Sequence, residues 1–187
     1  MGPIIYISLL LLELFFLVSI TIYLAFLIYS SLMGSPYVPT SRKQTKDLLA
    51  LIKPNSKTKI LELGCGDGRF LRIAAEKYKS TGLGIDINPV VLAKARLLTN
   101  FKKLKNISFE NRNIFKQSFS GYNLLYIFLM PKLLAKIAPQ LKKEMKPSTL
   151  VVSHGFKIPT CDKYITRVVQ SHPFDTYFYR FPKGKRA

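Results

Sequence analysis

The feature that most restricts the fold is a glycine-rich turn between a predicted strand and a predicted helix. Residues 59–63 are mostly apolar and β-prone, glycines follow at positions 64, 66 and 68, and a helix-compatible run covers residues 70–76. Glycine lets the backbone adopt φ > 0 and approach a ligand closely, and the first N–H groups of the helix can bind an anionic or polar group. The sequence therefore predicts a strand, turn and helix unit whose loop holds a nucleotide-like molecule.

The spacing of the turn distinguishes it from other glycine-rich loops. It reads E-x-G-x-G-x-G from Glu62, whereas dinucleotide-binding turns read G-x-G-x-x-G and P-loops end in Lys followed by Ser or Thr. Residues 62–70 resemble the first motif of class I S-adenosyl-L-methionine (SAM) dependent methyltransferases. The resemblance implies an α/β fold with a doubly wound, Rossmann-like, seven-stranded sheet. It also implies that Glu62, Gly64, Gly66 and Gly68 bind SAM as the cofactor.

A second predicted strand, residues 81–87, ends in an acid. Asp86 follows Gly64 by 22 residues, about the separation at which a βαβ unit places a carboxylate against ribose hydroxyls. Asn88 and Pro89 already supply an N-cap and a first helical residue, so Asp86 is not needed as a cap. We therefore expect Asp86 and the neighbouring Ile87 to contact the cofactor.

An apolar segment precedes this unit. Residues 3–33 contain one charged residue, Glu13, and residues 14–33 alone reach the roughly 20 residues that a membrane-spanning helix needs. A cleaved signal peptide starts with positive charge and has an apolar core of roughly 7–15 residues, whereas the first basic residue here is Arg42. We expect an uncleaved transmembrane anchor over residues 1–34, with Glu13 near an interface, and one methyltransferase domain over residues 35–187.

Charge predicts the orientation of this single-pass chain. All 29 Lys and Arg residues follow the anchor, and the formal net charge is +19. Positive residues near a span stay on the cytoplasmic side, so the domain should face the cytoplasm. A positive field attracts anionic lipid headgroups or nucleic acid, and lipid is the simpler partner for a tethered domain. A solvated lysine-rich surface explains the same composition. Cys65 and Cys161 have no metal-site spacing, so no metal is expected.

The later part of the chain predicts the rest of the sheet. A fourth strand near residues 122–128 runs into Leu129, Met130 and Pro131, and ligands of doubly wound sheets bind beyond the carboxyl ends of strands. Met130 and Pro131 should therefore lie where methyl donor and acceptor meet. A helix is expected over residues 131–145, interrupted at Pro139. A fifth strand and a final hairpin follow, near residues 149–156, 164–171 and 176–181.

Several segments together resemble the small membrane-anchored protein-lysine methyltransferases, a family that includes the mitochondrial enzyme acting on the c-subunit of ATP synthase. These segments are the N-terminal helix and residues 37–40, 61–70, 126–131 and 153–156. The resemblance implies that Tyr37 and Thr40 fold over SAM and that Asn113 faces the adenine amino group, although a plain turn asparagine fits position 113 equally. It implies a protein substrate, methylated on a lysine side chain and embedded in or associated with a membrane.

The catalytic candidates follow from the same placement. SAM is intrinsically activated, so the protein mainly aligns the reactants and excludes water, and no dedicated base is required. Tyr126 and His154 are candidates to orient the amine or accept its proton, although a histidine at a strand end is more often structural. Two alternatives stay open: methylation of RNA or a lipid-like molecule, and a non-catalytic SAM-binding module. The missing Asn/Asp-Pro-Pro-Tyr-like loop after the fourth strand argues against nucleic acid.

Overall fold

The computed structural model describes residues 2–32 and 40–182. The chain divides into two units, Met1–Tyr37 and Val38–Ala187. The first unit contains one described helix, α1 (Gly2–Leu32), and the second contains a sheet with helices on both faces. The predicted boundary between residues 34 and 35 falls among residues that the structure does not describe.

α1 has the length and composition of a membrane-spanning helix over Gly2–Ala25, which is 24 residues. The hydroxyl groups of Ser8, Ser19 and Thr21 donate to backbone carbonyls four residues earlier, which satisfies them in a nonpolar medium. The sequence predicts a span that starts after Glu13, whereas this stretch of the helix includes Glu13. One apolar N-terminal helix could thus cross a membrane.

Seven strands form one sheet within residues 40–182, in the order β3-β2-β1-β4-β5-β7-β6. In chain order they are β1 (Lys59–Leu63), β2 (Thr81–Asp86), β3 (Ile107–Asn111), β4 (Leu124–Ile127), β5 (Leu150–His154), β6 (Ile165–Val169) and β7 (Thr176–Arg180). The first five strands pair in parallel, and β7 lies antiparallel between β5 and β6. This arrangement confirms the predicted α/β sheet with a final antiparallel hairpin.

Helices cover both faces of the sheet because its central strands are apolar on both sides. They are α2 (Arg42–Ile52), α3 (Arg69–Tyr78), α4 (Pro89–Phe101) and α5 (Pro131–Glu144). Leu49 of α2, Leu71 of α3 and Leu92 of α4 are buried in one cluster on one face. Leu134 of α5 is buried in the cluster on the other face.

The predicted helix starts are confirmed. The Ser41 hydroxyl accepts from the Gln44 amide and the Gln44 side chain accepts from the Ser41 amide, a reciprocal capping box at the start of α2. Asn88 accepts from the amides of Val90 and Val91, with Pro89 as the first residue of α4. Local polar chemistry therefore fixes where both helices begin.

The expected interruption at Pro139 is wrong, because α5 runs from Pro131 to Glu144 through it. Pro139 lies on the exposed side of the helix, where water can bond the carbonyl that loses its intrahelical donor. On the other side, Leu134, Ile137 and Leu141 are fully buried. Their burial, roughly 1.5–3 kcal/mol for each side chain, exceeds the local cost of the proline.

The strand order leaves a crevice at one edge of the sheet. β1 lies between β2 and β4, and the chain leaves β1 through α3 on one face while β4 continues into α5 on the other. Doubly wound sheets bind ligands at such a switch point, outside the carboxyl ends of the strands. The carboxyl ends of β1, β2 and β4 therefore define the candidate site.

Candidate active site

The glycine turn after β1 adopts the left-handed backbone that its sequence requires. Gly64, Gly66 and Gly68 have φ values of 69°, 51° and 68°. The amides of Gly64 and Cys65 both donate to the Ile85 carbonyl, at 2.9 and 3.0 Å, which ties the turn to the end of β2. A Cβ on Gly64 would lie 2.7 Å from Leu129. The turn therefore tolerates only glycine where it approaches the loop after β4.

Asp86 closes the other side of the turn. Its Oδ2 accepts from the Gly66 amide and its Oδ1 from the Asn88 amide, both at 2.9 Å. Burial raises the pKa of this carboxyl group, and hydrogen bonds from the Asn88, Gly66 and Ile87 amides oppose the rise. Each oxygen retains a further lone pair, so the carboxylate can accept from two more donors. Two acceptors at the switch point fit the two hydroxyl groups of a ribose.

Glu62 faces inward. Its side chain is buried and its Oε2 accepts from the Leu71 amide at 3.3 Å, in the first turns of α3. Burial raises the pKa of Glu62 well above its usual range, and the negative Asp67 and Asp86 add to the rise. The side chain therefore links β1 to α3, and its predicted cofactor contact stays a prediction.

A chain of polar contacts that the sequence did not reveal joins the turn to the start of α2. Asp67 is buried and pairs with Arg69 at 3.2 Å, and Arg69 donates to the Thr40 carbonyl at 2.6 Å. Arg72 approaches the other oxygen of Asp67 at 3.8 Å. Thr40 is thereby held beside the glycine turn, as predicted for a residue near the cofactor. Tyr37, predicted with it, lies outside the described residues.

Tyr126 lies in β4 beside the turn. Its ring stacks on Phe70, with centroids 3.8 Å apart and planes 4° apart. Burial and the nearby Glu62 raise the pKa of the Tyr126 hydroxyl, and a hydrogen bond with the Thr40 side chain opposes this. A phenol in this environment keeps its proton at neutral pH, so Tyr126 can orient a partner but is a poor proton acceptor.

The loop after β4 provides one wall of the crevice. Leu129 is buried against the glycine turn, while Met130 is 39% exposed and lies at the N-cap position of α5. Pro131 follows as the first helical residue and is exposed. Met130 and Pro131 thus lie at the open edge, where a second substrate could approach.

His154 ends β5 on the same side of the sheet as Tyr126. Its Nδ1 shares a hydrogen bond of 2.8 Å with the Thr176 hydroxyl, and its ring contacts Phe128 and Phe174 at 4.9 and 5.9 Å between centroids. Burial lowers the pKa of His154 to about 4, so the ring is neutral at pH 7. This is an orienting group rather than a base of matched pKa.

The remaining predicted cofactor residues lie along the β2 and β3 ends. The Ile87 carbonyl accepts from the Asn111 side chain at 2.9 Å, and the Ile87 side chain is half-buried. Asn113 is exposed and its Oδ1 accepts from the Phe115 amide, which caps a 3-10 helix at Ile114–Lys116. Its side-chain NH₂ remains available for an adenine edge. No metal-binding cluster of His, Cys, Asp or Glu occurs among residues 2–32 and 40–182.

Comparison with known proteins assigns the family. Residues 62–164, more than half of the chain, match the ANTKMT methyltransferase domain. The chain belongs to this methyltransferase family. The match begins at Glu62 and includes the glycine turn, Asp86, Tyr126 and His154, so it covers the edge of the sheet described above.

Relatives of the family differ in how much of their length they share with this chain. A protein-lysine N-methyltransferase of Saccharolobus islandicus is 34% identical over 127 residues, which are 66% of this chain and 78% of that protein. The adenine nucleotide translocase lysine N-methyltransferase of Mus musculus is 28% identical over 126 residues. The lysine N-methyltransferase of Homo sapiens named for the ATP synthase c-subunit is 26% identical over 125 residues. These matches cover 67% and 66% of this chain and 55% and 53% of the two mammalian proteins, about half of their length.

Solved structures share the fold. An RNA methyltransferase from Salinibacter ruber, in complex with S-adenosyl-L-homocysteine, superposes with a TM-score of 0.73 at 26% identity, over 80% of this chain and 96% of that chain. PKMT2 from Rickettsia typhi, in complex with AdoHcy, superposes with a TM-score of 0.52 at 23% identity, over 66% and 28% of the two chains. The fold is thus that of class I methyltransferases, and SAM is the cofactor.

Proposed function

We propose that this protein transfers a methyl group from SAM to a lysine side chain of a membrane or membrane-associated protein. The observation that supports this most is the family match over residues 62–164, which this chain shares with relatives named for lysine methylation. The apolar helix α1 supports the membrane part of the proposal.

The chain's own residues would hold the donor through the glycine turn and Asp86. When bound, SAM supplies a methyl group that its sulfonium already activates for in-line displacement. The Gly66 amide fixes the Asp86 carboxylate, so its free lone pairs point to one place before any ligand arrives. Thr40, held by Arg69, lies across the turn. Such positioning is the main contribution that a protein makes to this type of transfer.

The acceptor amine must lose its proton before it can react, and the surroundings of the open edge favour that loss. Leu129, Met130 and the rings of Phe128 and Phe174 provide apolar surface near the ends of β4 and β5. Removing an ammonium group from water into such surroundings lowers its pKa. The neutral Tyr126 hydroxyl can then orient the amine, so no residue of this chain has to act as a strong base.

Membrane attachment would bring the domain to its substrate. α1 supplies the anchor, and the basic residues that begin at Arg42 and Lys43 favour a cytoplasmic domain by the positive-inside rule. The net charge of +19 attracts anionic lipid headgroups to the same side. In sealed right-side-out vesicles the domain should therefore resist added protease.

A transfer assay with native membranes tests the proposal. Full-length protein in nanodiscs is incubated with membranes and methyl-tritiated SAM, and the label in protein, RNA and lipid fractions is counted. The Asp86→Ala variant serves as the donor-site control and Asp162→Ala, an exposed acid outside the site, as its match. Label in a protein band that depends on Asp86 supports the proposal. SAM binding without any transfer would indicate a non-catalytic module instead.

A second candidate is methylation of RNA. The Salinibacter ruber structure, named an RNA methyltransferase, is covered over 96% of its chain in the superposition, and the charge of +19 suits a polyanion. The same assay separates the two functions, because ribonuclease-sensitive label would identify RNA as the acceptor and reject lysine.

A further inference from the structure

A cleft lies beside His154, between α2 and the strands of the final hairpin. Asp47, Leu48 and Leu51 of α2 form one wall, and His154, Thr176 and Val169 form the other. Its volume is about 90 Å³, several times the roughly 30 Å³ that a water molecule occupies in the liquid. The cleft can therefore hold a side chain rather than a single water.

A buried polar atom at the base of the cleft has no partner. His154 is 2% exposed, its Nδ1 bonds Thr176, and its Nε2 has no hydrogen-bond partner among the residues that the structure describes. Leaving a buried polar group unpaired costs about 1–3 kcal/mol, so such groups in folded proteins usually have a ligand or water. With the Nδ1 proton donated to Thr176, the Nε2 lone pair is an acceptor that faces the cleft.

The other polar lining groups narrow the chemistry of the ligand. Gln44 is used, since its Oε1 accepts from Ser41 and its Nε2 donates to the His172 carbonyl. Ser171 is used as well, because its hydroxyl donates to the Phe174 carbonyl at 2.6 Å. Asp47 has no ion pair or hydrogen bond with any residue in the ranges 2–32 and 40–182, and its side chain is exposed at the mouth.

The walls between these two acceptors are apolar. Leu48 is buried, Leu51 is 40% exposed and Val169 is half-buried, so the path from the mouth to His154 runs past aliphatic carbon. A carboxylate at the mouth and a lone pair at the base both require hydrogen-bond donors. A flexible aliphatic chain that ends in a compact ammonium group meets this pattern, whereas an acidic side chain would meet the Asp47 carboxylate.

We infer that this cleft binds a second lysine side chain of the protein substrate, one that is not methylated, and so helps to select the substrate. The inference rests on the proposed lysine methylation. A paired, charged ammonium next to Asp47 would resist the loss of its proton, so the occupant is a recognition residue and not the acceptor. The cleft lies beside the open edge because His154 neighbours Phe128 at the end of β4. His154 and Asp47 are thus positioning residues.

A binding experiment tests the cleft without any transfer reaction. Full-length protein in nanodiscs, labelled with ¹³C at histidine Cε1, is titrated with n-butylammonium chloride as the lysine side-chain probe. The His154 signal should shift saturably, while the signal of the exposed His172 stays in place. n-Butanol and sodium butyrate at the same ionic strength serve as controls. Absence of a saturable His154 shift, or an equal shift with butyrate, would overturn the inference.

Two matched pairs of variants place the probe in the cleft. Leu51→Trp fills the cleft and Leu97→Trp alters an exposed leucine of α4 outside it, while Asp47→Asn is matched by Asp162→Asn. Leu51→Trp should abolish the shift, and Asp47→Asn should weaken binding about threefold to tenfold, with both controls unchanged. If Leu51→Trp behaves like Leu97→Trp, the probe binds elsewhere and the inference fails.

Kinetics with the methylated protein separate recognition from catalysis. Leu51→Trp should raise KM for the protein substrate at least about fivefold while kcat and the SAM dissociation constant stay within about twofold. A fall in kcat at unchanged KM would assign the cleft to the reacting amine and contradict the inference. If no protein is methylated at all, the proposed function fails, while the titration still reports on the cleft.

Discussion

The Asp86 carboxylate accepts a hydrogen bond from the Gly66 amide at 2.9 Å, across 20 residues of sequence. This bond joins the end of β2 to the glycine turn after β1 and fixes the carboxylate at the switch point of the sheet. Because the bond uses one lone pair of one oxygen, it positions the carboxylate and leaves it able to bind. The donor site is thus largely preorganised by two residues that the sequence separates.

Replacing Asp86 by Ala should weaken SAM binding about tenfold to a hundredfold, the range expected when hydrogen bonds to a charged acceptor are lost. Isothermal calorimetry on the full-length protein measures this, with Asp162→Ala as the matched control. An unchanged SAM affinity in Asp86→Ala would show that the ribose assignment is wrong.

The Phe70 and Tyr126 pair allows the ring and the hydroxyl of Tyr126 to be tested separately. Tyr126→Phe keeps the stacked ring, so it should change kcat less than about tenfold, because a hydroxyl that keeps its proton only orients. Tyr126→Ala removes a buried ring and should cost about 3–5 kcal/mol of stability in urea unfolding. A loss of about a hundredfold or more in kcat for Tyr126→Phe would instead indicate a proton-transfer role.

Gly68→Ala and Gly121→Ala form a matched pair at positive φ. Gly68 has φ 68° and an added Cβ would overlap the Phe109 ring, whereas Gly121 has φ 85° with no heavy atom within 4 Å. Gly121→Ala should cost about 1–2 kcal/mol from backbone strain alone. Gly68→Ala should cost more and should also reduce SAM affinity. Equal unfolding free energies for the two variants would exclude the Phe109 contact as the reason for glycine at position 68.

His154 should make the folded domain less stable in acid. The unfolded chain binds a proton on this ring below its usual pKa of about 6.5, whereas burial lowers the folded pKa to about 4. Stability should therefore be full above pH 6.5 and decline as pH falls toward 4, by up to about 3 kcal/mol.

Urea unfolding at several pH values measures this decline. His154→Asn, which can keep a bond to Thr176, should flatten the pH dependence between 4 and 6.5, and His172→Asn should leave it as it is. If His154→Asn and the unaltered protein lose stability in parallel, the histidine is not the cause.

Much of the fold could be predicted from local sequence because local chemistry determines it. Ser41 with Gln44, and Asn88 with Pro89, set helix starts within four residues, and the glycine spacing sets the turn after β1. The predicted hairpin at the end of the chain is also present.

Contacts between distant residues could not be predicted in the same way. Arg69 reaches the Thr40 carbonyl across 29 residues, and nothing near Arg69 in sequence indicates that partner. The stack of Phe70 on Tyr126 and the cleft between α2 and the hairpin arise only when the sheet has formed. Pro139 misled for a related reason, since burial of the opposite helix face outweighs the local effect of proline.

The most direct test of the central claim is the chemical identity of the methylated product. Membrane protein labelled by the full-length enzyme with methyl-tritiated SAM is hydrolysed in acid, and the labelled amino acid is identified by chromatography. The label should co-migrate with a methylated lysine and should be lost with Asp86→Ala. Label in methylarginine, in volatile methanol from an ester, or in the RNA or lipid fraction would contradict lysine methylation.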